Sequence, residues 1–153
     1  MQIELFVNEE KVQAEIRPDM LLLDFLRSIG LKSMKRGCDT GNCGLCTVWV
    51  DEKPVLSCGV LAARVQGAHI TTLEGVQKEA EEFSQFLAAE GADQCGFCSP
   101  GLIMNVLALK KENPHPTEEE MKEYLSGNLC RCTGYQGQYR ALAKYFELEE
   151  GKQ

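Results

Sequence analysis

The first half of the chain alternates apolar and polar residues with a period of two. Ile3 to Val7, a polar turn at Asn8-Glu9-Glu10, and Val12 to Ile16 read as a hairpin that Pro18 ends. Between 21 and 30 the period lengthens, placing Leu22, Leu23, Leu26 and Ile29 on one helical face, with Gly30 as a left-handed stop. Cys46 to Val50, a turn at 51–54 and Val55 to Cys58 predict a second hairpin, and His69 falls in a further strand. From residue 76 the pattern is helical. Val76, Ala80, Phe83 and Leu87 share one stripe, and Ser99 as cap with Pro100 at the first helical position predicts a second helix to Glu112. Asn113-Pro114-His115-Pro116 interrupts it. Thr117 with Glu120 forms a capping-box pattern for a third helix to Ser126, and a fourth spans Gln138 to Phe146. The fold class is α+β, with an α+β unit over 1–75 and an all-helical unit over 76–153.

Of the 153 residues, 44% are apolar and 7% aromatic. Two half-length cores of this composition are each marginal alone, so the eight cysteines are the first candidates for cross-linking. An even count invites disulfides. Against that, Met1-Gln2-Ile3-Glu4-Leu5 shows no basic segment leading into an apolar one, so the expected compartment is the cytoplasm, where cysteine clusters mean metal or redox chemistry. A net charge of −7 argues against nucleic acid as partner, and Lys32, Lys35 and Arg36 read as a solvated face. Glu118 to Glu120 complement a helix N-terminus. The longest apolar stretch, 101–109, is too short to cross a bilayer.

Cys38, Cys43, Cys46 and Cys58 form C-x4-C-x2-C followed by a distant C, the plant-type [2Fe-2S] ferredoxin spacing. Four thiolates and two sulfides concentrate negative charge, and a loop that turns its amides toward them needs unusual backbone angles and little side-chain bulk. Gly37, Gly41 and Gly44 supply both. Zinc is the competitor, although structural zinc takes its ligands as two separated pairs. The second set is Cys95 and Cys98, then Cys130 and Cys132. No βαβ pattern supports a thioredoxin-like dithiol, and a disulfide within C-x-C is strained. Both pairs lie near predicted helix starts, where partial positive charge favours thiolates. The set reads as a second metal site, zinc or iron–sulfur.

Together with Gln94-Cys-Gly-Phe-Cys-Ser-Pro-Gly-Leu-Ile-Met104 and Gly127-Asn-Leu-Cys-Arg-Cys-Thr-Gly-Tyr-Gln136, the two sets resemble the small iron–sulfur subunit of the molybdenum hydroxylases, the xanthine dehydrogenase and aldehyde oxidoreductase family. The resemblance covers nearly the whole chain. It implies a plant-type ferredoxin-like (β-grasp) domain over 1–75 and a four-helix [2Fe-2S] domain over 76–153. The implied partners are a large subunit binding molybdopterin and molybdenum and a medium subunit binding FAD, in a cytoplasmic hetero-oligomer. By the same resemblance, the cluster at Cys95, Cys98, Cys130 and Cys132 is proximal to molybdenum and the cluster at Cys38, Cys43, Cys46 and Cys58 is nearer FAD. Gln94 and Cys132 approach the pterin. The overall likeness is greatest to purine-oxidising enzymes.

The chain departs from the family pattern at Asp39, Thr40, Asn42 and Leu45, and in Gly134 to Leu142, which replaces the usual apolar residues after the last motif. These changes bear on cluster potential and partner contacts and remove no ligand. Nothing in the sequence resembles a flavin or molybdopterin domain, so no catalytic residue is assigned here. His69 and His115 have no neighbouring ligand at metal spacing, and Trp49 and Phe97 beside cysteines read as shielding or packing groups. Two alternatives share parts of this reading: a freestanding two-cluster ferredoxin and a zinc-stabilised interaction module.

Overall fold

A computed structural model describes residues 1–146; residues 147–153, within the expected helical unit, lie outside them. Strands β1 (Gln2–Val7) and β2 (Glu10–Glu15) pair antiparallel, from Gln2 opposite Glu15 to Val7 opposite Glu10. The turn is two residues, Asn8 and Glu9, both left-handed (φ 50° and 68°), which matches the twist of the strands. The second hairpin, β3 (Thr47–Val50) with β4 (Lys53–Leu56), turns the same way on Asp51 and Glu52. It is tighter than the expected turn over 51–54. Pro54 enters β4 because β4 is an edge strand, where a missing N–H is tolerated. Cys58 falls outside the strand, in a short helical turn over Ser57–Gly59.

Strand β5 (His69–Thr71) runs parallel to β1 and antiparallel to β3, joining the hairpins into one sheet of order β2-β1-β5-β3-β4. Helix α1 (Leu22–Ser28) covers one face with Leu22, Leu23, Phe25 and Leu26. Ile29 was expected on that face and is 40% exposed, because the helix has ended and Gly30 (φ +98°) turns the chain away. The N–H of Leu31 reaches back to the Leu26 carbonyl, closing the end.

The second half is α2 (Gln77–Ala89), α3 (Ser99–Glu112), α4 (Glu118–Tyr124) and α5 (Gln136–Tyr145). Ala80, Phe83 and Leu87 pack on Leu102, Val106, Met121, Ala141 and Leu142. The capping box of Thr117 and Glu120 forms as the sequence predicts. Several boundaries differ: α4 ends at Tyr124, short of the expected Ser126, and α5 at Tyr145, one residue short of Phe146. Cys98 caps α3 in place of Ser99, whose hydroxyl bonds Asp93 at 3.2 Å. Helix α5 starts two residues early because Gly137 packs on residues 90–92, where an added Cβ would lie 3.1 Å from the Glu90 carbonyl.

Strand β3 is buried on both faces: Val48 enters the sheet core and Trp49 the helical core, where its Nε1 donates to the Met104 carbonyl at 3.0 Å. The connection between the halves is pinned as well. The Thr72 N–H donates to Asn8 Oδ1 at 2.9 Å, and the Glu74 carboxylate accepts the N–H groups of Lys32 and Ser33 at 3.0 Å and the Ser33 and Thr72 hydroxyls.

Candidate metal centres

All eight cysteines are free thiols, which removes the disulfide alternative. The 38–46 loop leaves the α1 side of the sheet and returns as β3. Gly41 and Gly44 have left-handed backbones (φ +71° and +75°), while at Gly37 a Cβ would crowd the end of the Leu45 side chain at 2.8 Å and Cys43 Sγ at 3.3 Å. The curl directs main-chain N–H groups at sulfur. The Thr40 amide, with the Asn42 N–H 3.4 Å from Cys38 Sγ, lowers the Cys38 thiol to about 6. Burial raises Cys43 despite the Leu45 and Gly37 amides, and burial beside Cys46 pushes Cys58 to about 11.

The helical set is assembled from the α3 N-terminus and the loop before α5. At Cys98, the cap of α3, burial outweighs the helix start and pushes the thiol to about 12. At Cys130 burial also raises the thiol, but the Thr133 hydroxyl (3.2 Å from Sγ) and the Thr133 and Cys132 amides outweigh it and the net shift is downward. Contact with Cys95 raises Cys132. The loop is braced by Tyr135, a left-handed non-glycine residue (φ +70°) whose hydroxyl accepts the Cys130 N–H at 3.0 Å.

The thiols meet two by two. Cys38 and Cys43, Cys46 and Cys58, Cys95 and Cys132, and Cys98 and Cys130 are near enough to perturb each other's titration. Within each set the two pairs are close enough to feel each other's charge. Among the described residues, no three Cys, His, Asp or Glu side chains converge as around a single ion. The two sets are also neighbours. A cavity of about 420 Å³ is lined by six of the eight cysteines, and the Leu129 N–H, next to Cys130, donates to the Cys43 carbonyl at 2.9 Å. This approach depends on glycine. A Cβ on Gly101 would run into the Gly44 carbonyl and lie 2.9 Å from Leu45 Cα, and one on Gly44 would lie 2.5 Å from the Gly127 carbonyl.

A [2Fe-2S] iron–sulfur cluster binding domain family matches residues 5–88, and a [2Fe-2S] binding domain family matches residues 72–143. The chain is 45% identical to the nicotinate dehydrogenase small FeS subunit of Eubacterium barkeri, covering 87% of each chain. It is 47% identical to the xanthine dehydrogenase iron-sulfur-binding subunit of Escherichia coli O157:H7, covering 88% of this chain and 87% of that one. The chain belongs to the small iron–sulfur subunits of the molybdenum hydroxylases. As such it is an electron-transfer subunit of an oxidoreductase. Its fold superposes on a chain of quinoline 2-oxidoreductase from Pseudomonas putida 86 with a TM-score of 0.88 at 36% identity, over 96% of this chain and 94% of that one. The ferredoxin-like and helical [2Fe-2S] units of the expected fold class are both present.

Gln94, Cys95 and Cys132 are exposed together at one edge of this iron–sulfur subunit, and Phe97 and Leu129 nearby are each 46% exposed. Trp49 packs in the helical core. His69 stacks on Phe6 with centroids 4.7 Å apart, and the His115 N–H bonds Asn113; neither ring is drawn to a cysteine set. The sequence reading did not single out Thr133, Tyr135, Gly101 or Gln138. A signal existed for the last: on α5 the buried stripe runs Gln138, Ala141, Leu142, Tyr145, with a polar residue at an apolar position.

Proposed function

We propose that this chain holds two [2Fe-2S] clusters and conducts electrons between a molybdopterin-bound molybdenum centre and FAD on partner chains. The facing thiol pairs carry the proposal. A [2Fe-2S] cluster is chelated as two dithiolate pairs, one per iron, and each set supplies two facing pairs. Zinc asks four thiolates to converge on one point. When bound, such clusters take up and release electrons singly.

In this reading Cys38 with Cys43 and Cys46 with Cys58 hold the cluster nearer FAD, on a loop that Gly37, Gly41 and Gly44 allow to close. Cys95 with Cys132 and Cys98 with Cys130 hold the cluster nearer molybdenum. Exposure of Gln94 and Cys132 at one edge supports their contact with the pterin. The Leu129-to-Cys43 hydrogen bond supports passage between the sets, since it links a ligand residue of one to the neighbour of a ligand in the other. The functional division falls at residues 75 and 76, where Glu74 and Thr72 anchor the linker. Among the described residues no helix is long and apolar enough to cross a membrane. Cysteines grouped for cluster binding rather than as a disulfide framework support a cytoplasmic site. The substrate is chosen on the molybdenum chain, and we assign it to the N-heterocycles, with a purine first, on the likeness to the xanthine dehydrogenase subunit.

The test is iron, zinc and acid-labile sulfide content of anaerobically purified protein, then low-temperature EPR after dithionite reduction. About four irons and four sulfides per chain, with two distinct signals, are expected. Zinc without sulfide or colour overturns the proposal. Purification as an active carrier with neither molybdenum nor flavin favours a freestanding ferredoxin.

A further inference from the structure

Gln138 is only 5% exposed, on the face of α5 that packs into the helical core. Burying a primary amide without a partner is costly, so its placement calls for one. Its Nε2 lies 3.8 Å from Cys98 Sγ, at the long end for an amide–sulfur hydrogen bond. A ligated thiolate carries more charge than a free thiol and is the stronger acceptor. The same thiol pair also receives the Thr133 hydroxyl, at Cys130 Sγ. The other pair, Cys95 with Cys132, is exposed, and among the described residues no side-chain donor bonds it. Side-chain donation from outside the cysteines is thus concentrated on the Cys98 and Cys130 pair. The residue also stands within the stretch where this sequence departs from the apolar family pattern.

We propose that Gln138 sets the reduction potential of the helical centre, its amide N–H donating to Cys98 Sγ and holding that centre at a higher potential than an apolar residue would. The inference rests on the two-cluster reading above. With a cluster bound, reduction would add one electron and no proton, so the negative charge at the four thiolates would grow and the Gln138 bond to Cys98 would strengthen in the reduced state. Gln138 neither ligates nor accepts the electron. It is a positioning residue whose dipole favours one redox state.

The experiment is an EPR-monitored redox titration of the holoenzyme, with dithionite as reductant and ferricyanide as oxidant, comparing wild type with Gln138→Leu. Iron and sulfide contents are expected to match. The helical-centre midpoint should move to lower potential while the ferredoxin-like midpoint stays in place. Gln138→Met, unbranched and of similar length, replaces Leu if that variant does not fold and should give the same shift. An unmoved or raised midpoint in fully loaded variant overturns this inference and leaves the two-cluster reading intact, as does an equal shift at both centres. A wild-type protein lacking sulfide or a second EPR signal overturns the two-cluster reading itself, and this inference with it.

Discussion

In the first cysteine set, three of the four thiols come from nine consecutive residues, and the groups that meet their sulfurs are main-chain amides of the same loop. In the second, two short motifs are separated by 31 residues, and main-chain amides such as those of Thr133 and Cys132 are joined at sulfur by side chains, the Thr133 hydroxyl and the Gln138 amide. A loop can solve the problem with backbone alone because glycine lets it curl. Helix termini cannot curl in this way, so their donors come from the adjoining loop and from another helix. A substitution on the loop therefore acts through backbone shape, whereas one in the helical half can also act by removing one side-chain donor.

The largest expected effect separates the two sets. Cys43→Ser should abolish the ferredoxin-like EPR signal and keep the other, and Cys130→Ser should do the reverse, each lowering iron by about half. Loss of both signals from either change in folded protein would break the comparison. Next is the joint between the sets. Gly101→Ala forces a methyl group against the Gly44 carbonyl and Leu45 Cα, so a loss of about 3 kcal/mol in urea unfolding is expected, with weakened magnetic coupling between the two reduced centres.

Smaller effects distinguish how each half is held. On the sheet side, burial raises the Glu74 carboxyl, but the Ser33 and Thr72 bonds prevail and hold it below the ordinary carboxylate value. A depressed carboxylate contributes stability that is complete above its unfolded value and is lost as pH falls through the folded one. Glu74→Gln should therefore lower the urea midpoint at pH 7, with the difference from wild type narrowing below pH 4.5. On the helical side, Thr117→Ala removes a cap that bonds only its own turn. About 1 kcal/mol is expected, read as a small drop in Tm, with neither EPR signal changed.

Much of this was legible along the chain. The first hairpin, α1, the stripe of α2 and the capping box of α4 involve residues within a few positions of one another, so their period and caps can be read directly. The ligand spacing of the loop set was legible for the same reason. Less legible were Ile29, placed on the core face although the helix had already ended, and the start of α5, hidden because Gly137 is helical only through its packing on residues 90–92.

By itself the sequence determined the α+β class, the two cysteine sets and the glycine loop, because hydrophobic period, ligand spacing and left-handed glycine are properties of neighbouring residues. Only the tertiary structure decided that Cys95 faces Cys132 and Cys98 faces Cys130, so that outer pairs with outer and inner with inner. Only there do Gly101 meet Gly44, Trp49 enter the far core, Leu129 bond Cys43 and Gln138 reach Cys98. Each of these is an approach of groups far apart in the chain, governed by how helices and sheet pack, and no local pattern encodes that distance.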